Sequence, residues 1–118
     1  MEKTNAVTAL AALAQDSRLD IFRLLVRAGT DGIAAGQIAQ SLDLAPATLS
    51  FHLNQLRGAG LIAMRRDGRS LIYSADYTAM NALLAYLTEE CCQGAPDACG
   101  VALCDGAALV PTRKGSRA

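Results

Sequence analysis

Residues 38 to 62, IAQSLDLAPATLSFHLNQLRGAGLI, have the pattern of two helices joined by a short turn. Ile38 and Leu42 are spaced as on one face of a short first helix. Three leucines of the second helix recur at the i, i+4 and i+7 spacing of a single face, namely Leu49, Leu53 and Leu56. Pro46 suits the first turn of that helix, and Gly58 is typical of its end. The stretch therefore predicts a second helix that buries its leucines and presents its polar side chains outward.

The segments before this stretch predict two more helices. Residues 4 to 14 and residues 17 to 29 carry apolar side chains at helical spacing. Asp16 or Ser17 is the predicted cap of the second of these helices, and Gly29 is its predicted stop.

The segment after the stretch predicts a β-hairpin. Residues 61 to 75, LIAMRRDGRSLIYSA, contain two alternating runs around Asp67-Gly68, a dipeptide that strongly indicates a two-residue hairpin turn. With that dipeptide as the turn, Arg66 is expected to face Arg69, so the tip of the hairpin is basic.

A last helix is predicted from about Asp76. Its apolar side chains alternate in steps of three and four, the spacing by which helices pair along a seam: Tyr77, Met80, Leu84, Leu87 and Cys91. With Val7 and Leu10 of the first helix, the members up to Leu87 are the predicted interface of a homodimer formed through the terminal helices.

The length of 118 residues predicts one small domain, which we place at residues 1–92, followed by a flexible, cysteine-containing tail at residues 93–118. The formal net charge is zero, so only a local patch can indicate a nucleic-acid partner. Four arginines form such a basic patch: Arg57, Arg65, Arg66 and Arg69. No apolar run approaches the roughly 18 residues of a membrane span, and a soluble, cytoplasmic protein with no membrane partner is expected.

Three segments together resemble the ArsR/SmtB family of metalloregulatory repressors: LAQDSRLDIFRLL, IAQSLDLAPATLSFHLNQLRGAGLI and RRDGRSLIYSA. The resemblance covers about residues 8 to 90, and the Leu-Arg-x-x-Gly-Leu run at residues 56 to 61 is its most diagnostic piece. It implies a mainly α winged helix-turn-helix fold with a small β-hairpin, a homodimer, and double-stranded operator DNA with an inverted repeat as the partner. The chain has no Cys-x-x-Cys, no nucleophile beside a base and no phosphate-binding glycine loop, so neither an enzyme nor an organic cofactor is expected.

The outward side chains of the second helix are suited to reading DNA, because hydroxyls and amides hydrogen-bond base edges and the major groove admits a helix. The candidates are Ala47, Thr48, Ser50, Phe51, Asn54 and Gln55. Phe51 stands where the family motif Ser-Arg-His-Leu has arginine, and it could contact a thymine methyl. His52, the only histidine, matches the motif's histidine and is expected to have a structural or phosphate-binding role. The arginines of the basic patch suit phosphate contacts, although a merely solvated surface is the plain alternative.

The four cysteines all lie in the last quarter of the chain: Cys91, Cys92, Cys99 and Cys104. Adjacent cysteines do not easily pair with each other, because their Cα atoms are about 3.8 Å apart and a relaxed disulfide needs roughly 4.4 to 6.8 Å. Cys91 and Cys92, with Cys99 brought back by the intervening loop, can instead surround one soft ion. The candidates are As(III), Sb(III), Cd(II), Pb(II) and Cu(I), or Zn(II) if a fourth ligand such as Cys104 joins.

The charges near these thiols favour trivalent arsenic or antimony as the inducer. A helix end and the carboxylates of Glu89 and Glu90 disfavour a thiolate and so raise the thiol pKa. Arsenic trihydroxide condenses with three neutral thiols and releases three waters, so a high thiol pKa is little hindrance. The Cys-Val-Cys pair of arsenic-responsive relatives is absent, since the matching positions are Ala34 and Gly36. Three alternatives stay open: a Cd-, Pb- or Zn-responsive repressor, a thiol redox-sensing repressor, and a thiol metal-binding protein that does not bind DNA.

Overall fold

The computed structural model of the chain describes residues 1 to 89. In chain order the elements are α1 (Lys3–Leu13), α2 (Asp16–Ala28), β1 (Ile33–Ala34), α3 (Ala35–Leu42), α4 (Pro46–Gly58), β2 (Ile62–Asp67), β3 (Ser70–Ala75) and α5 (Tyr77–Leu87). The three strands form one antiparallel sheet in the order β1-β3-β2. The predicted fold class, a mainly α winged helix-turn-helix with a small β-hairpin, is confirmed.

The core lies where α2, α3 and α4 meet the base of the hairpin. Its fully buried large side chains are Ile21, Leu25, Ile38, Leu53, Leu56 and Leu61. Leu49 is also buried, so the predicted leucine face of α4 points inward. Burying each leucine contributes about 1.5–3 kcal/mol, and this apolar face fixes which side of α4 is left for solvent.

The turn between α3 and α4 is closed by backbone hydrogen bonds at the end of α3. Asp43 adopts a left-handed conformation with φ of 56°, and the Leu44 N–H donates to the Ala39 carbonyl at 2.9 Å. This is the hydrogen bond by which a helix satisfies its last carbonyls when a left-handed residue follows it. Pro46 then starts α4, as predicted.

The hairpin register differs from the predicted one. Asp67 pairs with Ser70 and Arg66 pairs with Leu71, so the loop residues are Gly68 and Arg69 rather than Asp67 and Gly68. The prediction that Arg66 faces Arg69 is therefore wrong. Gly68 has a φ of 65° at the first loop position, where a hairpin turn of the type II′ kind needs glycine, and this register spares Asp67 a positive φ. It also avoids placing two arginines directly opposite each other.

The strand β1 was not predicted. It has only two residues, with Ile33 opposite Tyr73 and Ala34 opposite Ile72. Gly32 makes this pairing sterically feasible, because a Cβ at that position would lie 2.6 Å from the Tyr73 carbonyl oxygen and its φ is 77°. The two-stranded wing of the prediction is thus a three-stranded sheet.

The caps of two helices also bear on the predictions. The Gln15 side chain accepts a hydrogen bond from the Arg18 N–H at 2.9 Å, so the cap of α2 is Gln15 and not Asp16 or Ser17. Asp76 caps α5 by accepting from the Ala79 N–H at 3.0 Å, close to the predicted start.

The last helix is shorter than predicted. It ends at Leu87, and a turn follows at residues 88 and 89. Cys91, the last predicted member of the seam, lies outside the described residues. Residues Met1–Leu83 form one compact unit, which ends within α5. The predicted domain boundary at residue 92 lies outside the described residues. None of the helices in residues 1 to 89 is long and apolar enough to cross a membrane.

Candidate nucleic-acid interface

The outward face of α4 is a continuous exposed surface of small, polar and aromatic side chains. All six predicted reading residues are exposed: Ala47, Thr48, Ser50, Phe51, Asn54 and Gln55. Phe51 is 57% exposed although it is large and apolar. Within residues 1 to 89, the polar members of this face make no side-chain hydrogen bond to the protein. Their hydroxyl and amide groups are therefore available to an external partner.

His52 lies beneath this face rather than on it. It is only 7% exposed, and its Nδ1 is 3.2 Å from a terminal guanidinium nitrogen of Arg18. Burial lowers the pKa of His52 from its usual 6.5, and the positive charge of Arg18 lowers it further. Of the two predicted roles, this position favours the structural one, because a buried imidazole cannot readily reach a phosphate.

The basic patch is exposed throughout. Arg57 lies in the last turn of α4, Arg65 and Arg66 lie on β2, and Arg69 lies in the hairpin loop. Successive side chains of a strand point to opposite faces, so Arg65 and Arg66 serve different sides of the wing. A phosphate backbone that runs along one side would therefore meet only one of the two.

The predicted dimer residues divide into exposed and half-buried side chains. On α1, Val7 is 58% and Leu10 is 41% exposed, while α1 buries the alanines Ala6 and Ala9 against the fold. On α5, Leu87 is 53% exposed, whereas Tyr77, Met80 and Leu84 are half-buried. The Tyr77 hydroxyl donates to the Val26 carbonyl at 2.7 Å, which ties the start of α5 to the end of α2.

The predicted thiol site lies outside the described residues, because Cys91, Cys92, Cys99 and Cys104 all follow residue 89. Among residues 1 to 89, no group of three or more His, Cys, Asp or Glu side chains is arranged to hold a metal ion. Ala34 and Gly36, which occupy the positions of the family's cysteine pair, lie at the end of β1 and in the first turn of α3.

Arg18 is the residue that sequence reasoning missed. It lies within the segment LAQDSRLDIFRLL, and its side chain contacts both α1 and α4. Its partner His52 is 34 positions away in the chain, so no local pattern pairs the two. The only available signal was a cation near the start of a helix, where the helix dipole disfavours it unless another contact compensates.

Comparison with known proteins identifies the family to which this chain belongs. A model for a helix-turn-helix domain matches residues 13–65. The chain is 33% identical over 87 residues to the HTH-type transcriptional regulator YgaV of Escherichia coli. The matched region covers 74% of the chain and 86% of that relative. It is 32% identical over 95 residues to the transcriptional activator HlyU of Vibrio cholerae, over 79% of the chain and 85% of HlyU.

Solved structures agree. The structure of reduced HlyU from Vibrio cholerae has a TM-score of 0.59 and 31% identity, and covers 76% of the chain and 92% of that structure. The homodimeric winged helix-turn-helix domain of Mb0332 from Mycobacterium bovis, a possible ArsR-family regulator, has a TM-score of 0.59 and 29% identity, over 74% of the chain and 81% of that domain. The chain belongs to the ArsR/SmtB-type winged helix-turn-helix transcriptional regulators. In this ArsR/SmtB-type regulator, α3 and α4 are the helix-turn-helix and the β2–β3 hairpin is the wing. Its relatives are DNA-binding regulators of transcription and not enzymes, as predicted.

Proposed function

We propose that this ArsR/SmtB-type regulator is a homodimeric repressor that binds an inverted-repeat operator and releases it when As(III) or Sb(III) binds Cys91, Cys92 and Cys99. The observation that carries the DNA-binding part is the exposed face of α4, whose hydroxyl and amide side chains make no hydrogen bond within residues 1 to 89. This helix contacts β2, the strand of the wing that carries Arg65 and Arg66. A helix of this width fits the major groove, and arginines at its flank suit the adjacent phosphates.

The dimer of this proposal is supported by exposed apolar side chains on the terminal helices. Val7 and Leu10 on α1 and Leu87 on α5 are about half exposed, and burying the exposed part of each would contribute about 1–2 kcal/mol. The solved domain of Mb0332 is a homodimer. A two-fold dimer presents two reading helices related by symmetry, and an inverted repeat is the DNA sequence with the same symmetry.

The ligand part of the proposal rests on the count and type of the thiols. Three sulfurs, with two adjacent and a third seven residues after Cys92, match the three bonds that trivalent arsenic or antimony forms. Soft thiol ligands exclude Mg(II) and Ca(II) from this site. Coupling of about 1–3 kcal/mol between the thiols and the reading helices would change operator affinity some 5- to 150-fold.

A thiol redox sensor is the second candidate, because one HlyU structure that is similar to this chain is of the reduced form. A redox sensor needs thiols of low pKa that react readily with oxidants. The carboxylate of Glu89 and that of Glu90 next to the thiols argue for the opposite, so arsenic or antimony remains the first candidate.

A mobility-shift experiment separates these candidates. The full-length protein is bound to its operator and then treated with arsenite, antimonite, cadmium, zinc or hydrogen peroxide. We expect arsenite and antimonite to release the DNA at stoichiometric concentrations and the other agents to release it poorly. Release by peroxide alone would favour the redox sensor, release by cadmium or zinc would favour a tetrahedral metal site, and metal binding without any DNA shift would favour a thiol metal-binding protein.

A further inference from the structure

Arg18 lies in the first turn of α2, and its side chain contacts both α1 and α4. Its backbone N–H donates to the Gln15 side chain at the start of α2, its Nε donates to the Ala12 carbonyl of α1 at 2.6 Å, and a terminal nitrogen lies 3.2 Å from His52 Nδ1 on α4. A guanidinium has no acceptor atom, so it must donate in each of its side-chain bonds. His52 Nδ1 is therefore an unprotonated acceptor, and the neutral ring carries its proton on Nε2.

The contact with Ala12 provides a hydrogen-bond donor to one of the carbonyls at the end of α1. The last four carbonyls of a helix have no partner within it, and α1 has no basic residue in its last turn. Arg18 supplies both a donor and a positive charge to this negative end, which is the favourable orientation for a helix dipole. The bond to α1 thus orients the guanidinium that contacts His52.

The contact with His52 adds a directional hydrogen bond to the apolar packing that holds α4. Leu49, Leu53 and Leu56 hold α4 by apolar packing, which is not directional. Along its other flank, α4 faces α1 across an open groove lined by Val7, Ala11, Arg18, Asn54 and Gln55, so packing is incomplete there. A hydrogen bond at His52 is directional, so it narrows the rotation of α4 about its own axis within the range that the buried leucines allow.

Rotation decides which atoms α4 presents to DNA. Side-chain tips lie about 5–6 Å from a helix axis, so a rotation of about 20° moves them by about 2 Å. That displacement exceeds the range of distances over which a hydrogen bond to a base edge persists. Phe51 and Ser50 immediately precede His52 in α4, so a bond to His52 constrains them most directly.

We propose that Arg18 is a positioning residue for DNA recognition: by linking the end of α1 to His52 Nδ1, it sets the rotation of α4 that brings Ser50 and Phe51 to the bases. The inference rests on the proposed role of α4 as the helix that reads DNA. In this role Arg18 acts through α4 and not through a contact of its own with a base or a phosphate. Its removal therefore weakens discrimination between DNA sequences while the general attraction to DNA stays.

The test uses the full-length protein, the duplex that wild-type protein selects from a random library, and a random duplex of equal length. Arg18→Met removes the guanidinium and keeps an apolar stem, and Arg23→Met is the matched control because Arg23 is exposed on the same helix. We expect Arg18→Met to bind the selected duplex at least about tenfold more weakly. Its affinity for the random duplex and its salt dependence should change no more than in Arg23→Met.

His52 provides a second pair of variants that stays informative if Arg18→Met does not fold. An asparagine side-chain oxygen can accept in place of Nδ1, so His52→Asn should keep most of the preference for the selected duplex, whereas His52→Leu should lose it. Nitrogen-15 NMR of the wild-type ring should show a neutral imidazole protonated on Nε2. In Arg18→Met the ring should no longer be held in that one tautomer.

Three results would overturn the inference. One is an undiminished preference of Arg18→Met for the selected duplex. Another is an equal loss on both duplexes with the salt slope lowered by about one, which would make Arg18 a direct phosphate contact. The third is His52→Asn behaving like His52→Leu. If the wild-type protein selects no duplex at all, the proposed DNA reading by α4 fails first, which distinguishes that failure from an effect confined to the variants.

Discussion

His52 is held neutral beneath the reading face of α4, and this makes the stability of the fold sensitive to pH. Burial and then the charge of Arg18 lower its pKa in the folded protein, whereas in the unfolded chain it titrates near 6.5. Above about pH 6.5 the ring is neutral in both states and contributes no pH dependence. As the pH falls from 6.5 toward the lowered pKa, the unfolded state binds a proton that the folded state does not, so stability decreases.

Thermal unfolding of the wild type and of His52→Leu tests this at the residue scale. Because His52 is the only histidine, the melting temperature of the wild type should fall by more between pH 7 and pH 5.5 than that of His52→Leu. Protein concentration is held constant, since a dimer's melting temperature depends on it. Equal losses in the two proteins would show that His52 is not the group that titrates.

The wing is the element whose geometry most directly predicts a DNA contact. Arg66 on β2 and Arg69 in the loop are exposed. Arg66 pairs with Leu71 and Arg69 lies in the loop, so neither is opposite a carboxylate across the hairpin. We expect Arg66→Ala with Arg69→Ala to weaken binding to every duplex and to lower the salt slope by about one for each phosphate contact removed. Arg23→Ala is the control from outside the wing, and an unchanged slope in the double variant would disprove the phosphate contacts.

The same elements show how far the sequence could be interpreted. The leucine spacing in α4 was sufficient to predict its buried face, because three leucines on one face of a helix are stabilised by packing that face against other apolar side chains. The wing register was not predictable in this way, since the dipeptide Asp67-Gly68 allows glycine to be either the first or the second loop residue. The two-residue strand β1 is too short for a periodic signal, and it depends on the close approach of Gly32 to Tyr73. The Arg18–His52 contact joins distant parts of the chain and became visible only in the folded structure.

At the scale of the whole molecule, the proposed dimer depends on apolar side chains that a single chain leaves exposed. Leu87→Glu places a charge in the proposed interface, and we expect monomers at micromolar concentration and a loss of operator affinity of at least roughly tenfold. Leu19→Glu is the matched control, because Leu19 on α2 is similarly exposed at 44% but lies outside the predicted interface. Sedimentation should show a dimer for this control, and a dimeric Leu87→Glu would mean that the interface lies elsewhere.

The release of operator DNA by arsenite, followed by fluorescence anisotropy of a labelled duplex, tests the central proposal most directly. The full-length wild type should release the duplex as arsenite approaches one equivalent per thiol site. Cys91→Ser, Cys92→Ser and Cys99→Ser should each bind the duplex normally and fail to release it, because two sulfurs cannot complete a three-coordinate site. Cys104→Ser, the matched control, should respond like the wild type. Release by all three single variants, or an unresponsive Cys104→Ser, would contradict a site built from Cys91, Cys92 and Cys99.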